Sequence, residues 1–89
     1  YLSLGNAYGN TGRYKESIAA YKEGIQIDPR HPEVAQMEMN IASIANKMND
    51  KKTAVLYSQK AIQSFTDRNN LAGVTQAASQ LRMIEKNTP

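Results

Sequence analysis

Few side chains in this chain have the types and spacing that support chemistry. His31 is the single histidine and cysteine is absent, so a zinc site has no ligand set. No serine, histidine and carboxylate are spaced as a triad, and no glycine-rich loop follows a strand pattern. Asp28, Glu33 and Glu38 look like solvated charges, and His31 beside Pro32 fits the start of a helix. The sequence therefore predicts no enzymatic activity, no metal and no cofactor.

Composition fits one small folded domain. The chain has 89 residues, of which 40% are hydrophobic and 21% charged, a balance that is typical of folded rather than disordered chains. The formal net charge is +3, and the excess falls in the second half. That excess either favours an acidic peptide or forms a solvated face. The sequence lacks an arginine-rich run and a long apolar run, so neither nucleic-acid binding nor a membrane span is expected.

Apolar residues recur every three to four positions in five segments, which predicts an all-α fold. Pro29 closes the second segment, and Pro32 suits the first turn of the third helix. Asp67 or Asn70 is expected to cap the fifth helix. The predicted helices are residues 1–10, 13–28, 31–48, a segment after Asn49-Asp50 that ends near Phe65, and 71–85.

The first two helical pairs align on each other at one constant offset of 37 residues. Small residues fall at equivalent places in both pairs, where two helices must approach closely. We expect Ala42→Leu to overpack such a contact and lower the melting temperature. The aligned pairs are Leu4 with Ile41, Gly5 with Ala42, Tyr8 with Ala45, Gly12 with Asn49, Ser17 with Ala54, and Gly24 with Ala61. Large residues expected between the helices are Leu4, Tyr8, Tyr14, Tyr21 and Ile25, with Met37, Met39, Met48 and Met83 filling gaps in the core.

The first unit carries Leu4-Gly5, Tyr8, Gly12, Tyr14, Tyr21 and Pro29, with Tyr1 where a tryptophan is usual. This pattern resembles the tetratricopeptide repeat, whose unit is about 34 residues. The resemblance implies a right-handed superhelical stack of antiparallel helix pairs. It divides a single domain, residues 1–89, into a first repeat (1–31), a more degenerate second repeat (32–68) and a third-repeat or capping helix (69–86). We expect the chain to be a fragment of a longer protein.

In the family that the chain resembles, the first helix of each pair lines a concave groove that holds extended peptides. Amide side chains are frequent on this strip, and they offer a donor and an acceptor together, which suits a peptide backbone or simply a solvated polar face. The expected groove residues are Asn6, Asn10, Gln36, Met39, Asn40, Ser43, Asn46, Lys47 and Arg82, flanked by Leu2, Ser3, Thr75, Gln76 and Ser79.

Some members of that family clamp the acidic tail of a chaperone with two asparagines and several cations. Asn6 and Asn40 match the asparagines, but Leu2 stands where the first lysine belongs and the fifth helix lacks a matching Lys and Arg pair. This disfavours the clamp. The predicted function is a protein-interaction scaffold with a peptide or partner helix in the groove. The alternatives are packing on further repeats, self-association into a homo-oligomer, and an accessory role beside a catalytic domain of a longer chain.

Overall fold

The computed structural model describes residues 1–86, which fold into five α-helices and no strand. The helices are α1 (Leu2–Asn10), α2 (Tyr14–Ile27), α3 (Val34–Lys47), α4 (Lys51–Asp67) and α5 (Leu71–Lys86). Each helix packs on the next one along the chain, and α3 also touches α5. The all-α prediction is confirmed, as is the stack of helical hairpins.

Three helices, α1, α3 and α4, end in the same backbone turn. Its central residue takes a positive φ, 77° at Gly12, 62° at Asn49 and 56° at Asn69. In all three turns the next residue's N–H donates to the carbonyl five positions earlier at 2.9 Å. Asparagine tolerates this left-handed backbone better than other residues with a side chain. The second hairpin therefore keeps the turn of the first although it lacks the glycine.

Two of the helices that begin after these turns have a side-chain cap. The Asp50 carboxylate accepts the Thr53 N–H at 3.2 Å at the start of α4, and the Asn70 Oδ1 accepts the Gly73 N–H at 3.0 Å at the start of α5. Hydrogen bonds from Thr53 lower the pKa of Asp50. Of the two candidates for capping α5, Asn70 is the cap, and Asp67 instead accepts a hydrogen bond within α4.

The turn between α2 and α3 differs from the other three. The His31 N–H donates to the Asp28 carbonyl at 3.1 Å, and the His31 Nδ1 accepts the Glu33 N–H at 3.1 Å. These bonds hold Pro32 and Glu33 in a turn, and α3 begins only at Val34. The prediction that Pro32 lies in the first turn of the helix is therefore wrong, because His31 and Pro32 both precede α3.

Glycine and serine allow α1 and α2 to pack closely. A Cβ placed on Gly5 would lie 2.6 Å from Cδ1 of Tyr21, and the Ser17 hydroxyl donates to the Gly5 carbonyl at 2.6 Å. At the other end of the pair, a Cβ on Gly24 would lie 3.0 Å from Cγ of Tyr1. The start of α1 thus lies beside the end of α2, which makes the pair antiparallel.

The second hairpin uses alanine where the first uses glycine or serine. Ala42, Ala54 and Ala61 are all fully buried, like Ser17 at the equivalent place in the first hairpin. They pack in two clusters that also include Phe65 and Ile84. Small residues at matched places thus bring neighbouring helices together in both hairpins, as the sequence predicted.

Two apolar residues that were expected in the core lie at the surface. Leu4 is 47% exposed and Met83 is 65% exposed. Helical spacing placed Leu4 on an apolar stripe, and Met83 was expected to fill a gap in the core, but no helix within residues 1–86 covers the faces of α1 and α5 on which they lie. Met37 is buried, and Met39 and Met48 are partly buried against the core, in agreement with the prediction.

Candidate functional site

A hydrogen-bonded network links the first helices of the two hairpins. The Tyr21 hydroxyl donates to Oδ1 of Asn6. The Asn40 Nδ2 donates to the same oxygen and to the Tyr21 hydroxyl, each at 3.2 Å. The Gln36 Nε2 donates to Oδ1 of Asn40 at 3.0 Å, one helical turn away. Three amides and one phenol therefore orient one another across α1 and α3.

The position of this network is set by the packing beneath it. Tyr21 is 1% exposed, and its ring covers Gly5 and packs on Met37, Ile41 and Ile44. Its hydroxyl lies between Asn6 of α1 and Asn40 of α3. Because the ring is fixed by the core, the hydroxyl is a fixed point to which the two asparagines bind.

Next to the network lies a cavity of about 360 Å³, which we call the α1–α3 cavity. It lies towards the ends of α1 and α3 that precede the left-handed turns. Its lining residues are Asn6, Gly9, Asn10, Tyr14, Tyr21, Asn40, Ser43, Ile44 and Lys47. The volume is within the range of about 300–1,000 Å³ that is usual for ligand sites.

The cavity presents many hydrogen-bonding groups and one formal charge. Lys47 is its only lysine, arginine or carboxylate. Within residues 1–86, the Nδ2 of Asn6, the amide of Asn10 and the hydroxyl of Ser43 have no protein hydrogen-bond partner. These groups are available to a ligand with both donors and acceptors, and a peptide backbone is such a ligand.

The structure brings together five of the nine residues expected to bind peptide and leaves four outside the cavity lining. Gln36 borders the cavity through its bond to Asn40, while Asn46 and the exposed Arg82 do not reach it. Met39 packs against the cluster around Phe65. The five that line the cavity are Asn6, Asn10, Asn40, Ser43 and Lys47. Of the flanking residues, Leu2 packs partly on the core, and Ser3, Thr75, Gln76 and Ser79 are outside the lining.

Four lining residues were not identified as site residues from the sequence: Gly9, Tyr14, Tyr21 and Ile44. The two tyrosines were assigned to the volume between the helices. Their hydroxyls were the available signal, because a buried tyrosine usually places its hydroxyl where it can find a partner.

For Glu38, the prediction of a solvated charge is wrong. The residue is 7% exposed rather than solvated, because α4 packs over it, and the Ser64 hydroxyl donates to its Oε1 at 2.6 Å. Burial raises the pKa of Glu38, against the opposing effects of the Ser64 hydrogen bond and the positive charge of Lys60. Glu38 does not line the α1–α3 cavity.

Stacked helical hairpins with a polar cavity between their first helices define a helical-repeat protein. The family model of the tetratricopeptide repeat matches residues 1–31, which form the first hairpin, so this part of the chain is similar to that family. No curated protein matches the chain. The family is typically a non-catalytic scaffold for protein partners. Within residues 1–86, no helix is long and apolar enough to cross a bilayer.

Proposed function

We propose that this chain is a protein-interaction scaffold that holds an extended peptide of a partner protein in the α1–α3 cavity. In this proposal residues 1–31 and 32–68 are consecutive repeats of a right-handed stack, and residues 69–86 begin a third repeat or cap the second. The observation that carries the proposal is the network of Asn6, Tyr21, Asn40 and Gln36, which leaves the Asn6 Nδ2 without a partner among residues 1–86.

The geometry supports a peptide better than a small charged metabolite. A peptide backbone alternates N–H donors and C=O acceptors, and the amides of Asn6 and Asn10 offer both kinds of group along one helix. The cavity holds a single cation, Lys47, so a ligand with several negative charges would find only one opposite charge there. Tyr14 and Ile44 supply apolar surface for a side chain of the peptide.

Peptides that bind the chain are first selected from a random library displayed on phage. Each selected peptide is then synthesised with a label, and its affinity for the chain is measured. The test variant is Asn6→Ala/Asn40→Ala, and the matched control is Asn46→Ala, on α3 but outside the cavity lining. We expect the double variant to lose about tenfold or more in affinity, the effect of truncating central contacts. We expect the control to bind normally. Selected peptides that bind the double variant as tightly as the unmodified chain, with helicity unchanged, would refute the proposal.

A second function, packing on a further copy or on further repeats, has its own support in exposed apolar residues. Tyr1 and Leu4 are 50% and 47% exposed on the α1 side, and Leu71 is 78% exposed on α5. Light scattering across a range of protein concentrations tests self-association. A molar mass that stays at that of the monomer would exclude the homo-oligomer. A dimer that forms as the concentration rises would favour self-association over peptide binding.

A further inference from the structure

A second cavity lies at the opposite end of the first hairpin from the α1–α3 cavity. It has a volume of about 270 Å³ and is formed where the start of α1, the end of α2 and the start of α3 meet. Its lining residues are Tyr1, Gly24, Ile27, Asp28, His31, Glu33 and Met37. We call it the turn cavity. It shares no residue with the α1–α3 cavity, so binding in the turn cavity does not depend on the proposed peptide site.

The turn cavity combines apolar walls with an aromatic ring. Ile27 is 62% exposed and Tyr1 is 50% exposed, while Met37 is buried and forms the floor. Gly24 leaves room for the Tyr1 side chain, because a Cβ at position 24 would lie 3.0 Å from Cγ of Tyr1. The volume is below the usual range of about 300–1,000 Å³ for small-molecule sites, so it suits one long side chain rather than a cofactor.

The charge of the turn cavity is opposite to that of the whole chain. The chain carries +3, yet the lining contains two carboxylates, Asp28 and Glu33, and no lysine or arginine. Neither carboxylate forms an ion pair with a lysine or arginine within residues 1–86. His31 accepts the Glu33 N–H on Nδ1 at 3.1 Å, and the same nitrogen lies 3.8 Å from Oε1 of Glu33.

From this combination we infer that the turn cavity binds an arginine side chain presented by a partner protein. The aliphatic stem of arginine packs on Ile27 and Met37, because long basic side chains bury their methylene groups on apolar surface. The guanidinium stacks on the exposed half of the Tyr1 ring and donates hydrogen bonds to Asp28 and Glu33. Arginine fits better than lysine because its planar head both stacks on a ring and donates to two carboxylates.

The experiment monitors the backbone resonances of the isotope-labelled chain during titration with acetyl-Gly-Arg-Gly-amide. The matched peptide carries citrulline, which keeps the shape of arginine and removes its charge. The amino terminus of the chain is acetylated, so that its charge does not act beside Tyr1. We expect saturable shifts at Gly24, Ile27, Glu33 and Met37, and about fivefold weaker binding of the citrulline peptide, as for loss of a charged hydrogen bond.

Variants of the chain separate the carboxylates from the apolar walls. Asp28→Asn/Glu33→Gln keeps the side-chain size and the oxygen that accepts the Arg30 N–H, so it preserves the turn. We expect it to weaken binding of the arginine peptide about fivefold or more and to leave the citrulline peptide unaffected. Glu23→Gln, on α2 outside the lining, is the control.

Three results would overturn the inference. The first is the absence of localised shifts at millimolar arginine peptide, and the second is equal binding of the arginine and citrulline peptides. The third is movement of the same resonances when only the protein concentration is raised, because this would assign the turn cavity to a second copy of the chain. Shifts confined to the α1–α3 cavity would count as the first of these results.

Discussion

Two glycines of α1 are predicted to respond in opposite ways to the same substitution. Gly5→Ala places a methyl group against the Tyr21 ring, 2.6 Å from its Cδ1. Gly9→Ala places a methyl group 3.4 Å from Oγ of Ser17 and 3.6 Å from Cδ1 of Ile44, which is ordinary van der Waals contact. We therefore expect the first variant to be less stable than the unmodified chain and the second to be equally or more stable.

The magnitudes result from two opposing effects. Alanine in a helix interior is favoured over glycine by about 1 kcal/mol. Neither glycine has a positive φ, so both sites gain, and Gly9 gains less because it lies next to the end of α1. At Gly5, the overlap of the added methyl group with the Tyr21 ring opposes this gain in stability. Tyr21 is 1% exposed and its hydroxyl is bound by Asn6 and Asn40, so the ring has little room to retreat. Overpacking a core in this way costs about 1–3 kcal/mol, so after the gain in helix propensity Gly5→Ala is destabilised by up to about 2 kcal/mol.

Urea unfolding measured by circular dichroism tests both variants, and thermal melts provide a second reading. For a chain of this size, each kcal/mol corresponds to roughly 4–8 °C in Tm. The comparison is internal, since both changes remove a glycine from one helix and add one methyl group. A Gly5→Ala variant at least as stable as Gly9→Ala would refute the assigned contact between α1 and α2.

Three further perturbations test other contacts. Ser17→Ala removes a 2.6 Å hydrogen bond to the Gly5 carbonyl and should cost about 0.5–1.5 kcal/mol in urea unfolding, whereas Ser58→Ala removes a buried hydroxyl with no partner within residues 1–86 and should cost nothing. Burial raises the pKa of Glu38 above its ordinary value of 4.5. The contribution of this residue to folding stability is therefore fully present below pH 4.5 and is lost as the pH rises through the raised pKa of the folded state. Between about pH 4 and pH 7, the free energy of unfolding of the unmodified chain should therefore fall relative to that of Glu38→Gln. A difference between the two chains that does not change with pH would contradict this prediction. Asn70→Ala removes the cap of α5 and should cost about 1 kcal/mol with loss of ellipticity, while unchanged helicity and stability would argue against the cap.

The helices and the close contacts could be predicted from the sequence because they depend on local signals. The periodic apolar positions fixed the boundaries of most helices, and small residues at the offset of 37 marked where helices touch. The start of α3 was predicted too early because Pro32 is compatible with either a helix or a turn, and hydrogen bonds of His31 decide for the turn.

The candidate site was less accessible to sequence reasoning, because its members come from separate helices. Helical spacing identified Asn6 and Asn40 as surface residues, but it could not show that one hydroxyl connects them. Tyr21 was predicted to be a core residue and is one, and the same side chain also lines the cavity. Glu38 was placed in solvent because no periodicity on α3 shows where α4 crosses it.

The double role of Tyr21 limits how the first hairpin can change. Its ring packs in the core of the first hairpin and its hydroxyl binds two asparagines, so a substitution there alters the core and the amide network at once. The second hairpin has Ser58 at the position 37 residues later, and the Ser58 hydroxyl has no hydrogen-bond partner in the described part of the chain. A library built on this surface should therefore keep the phenol and vary its neighbours, because loss of the ring leaves an unfilled volume in the first hairpin.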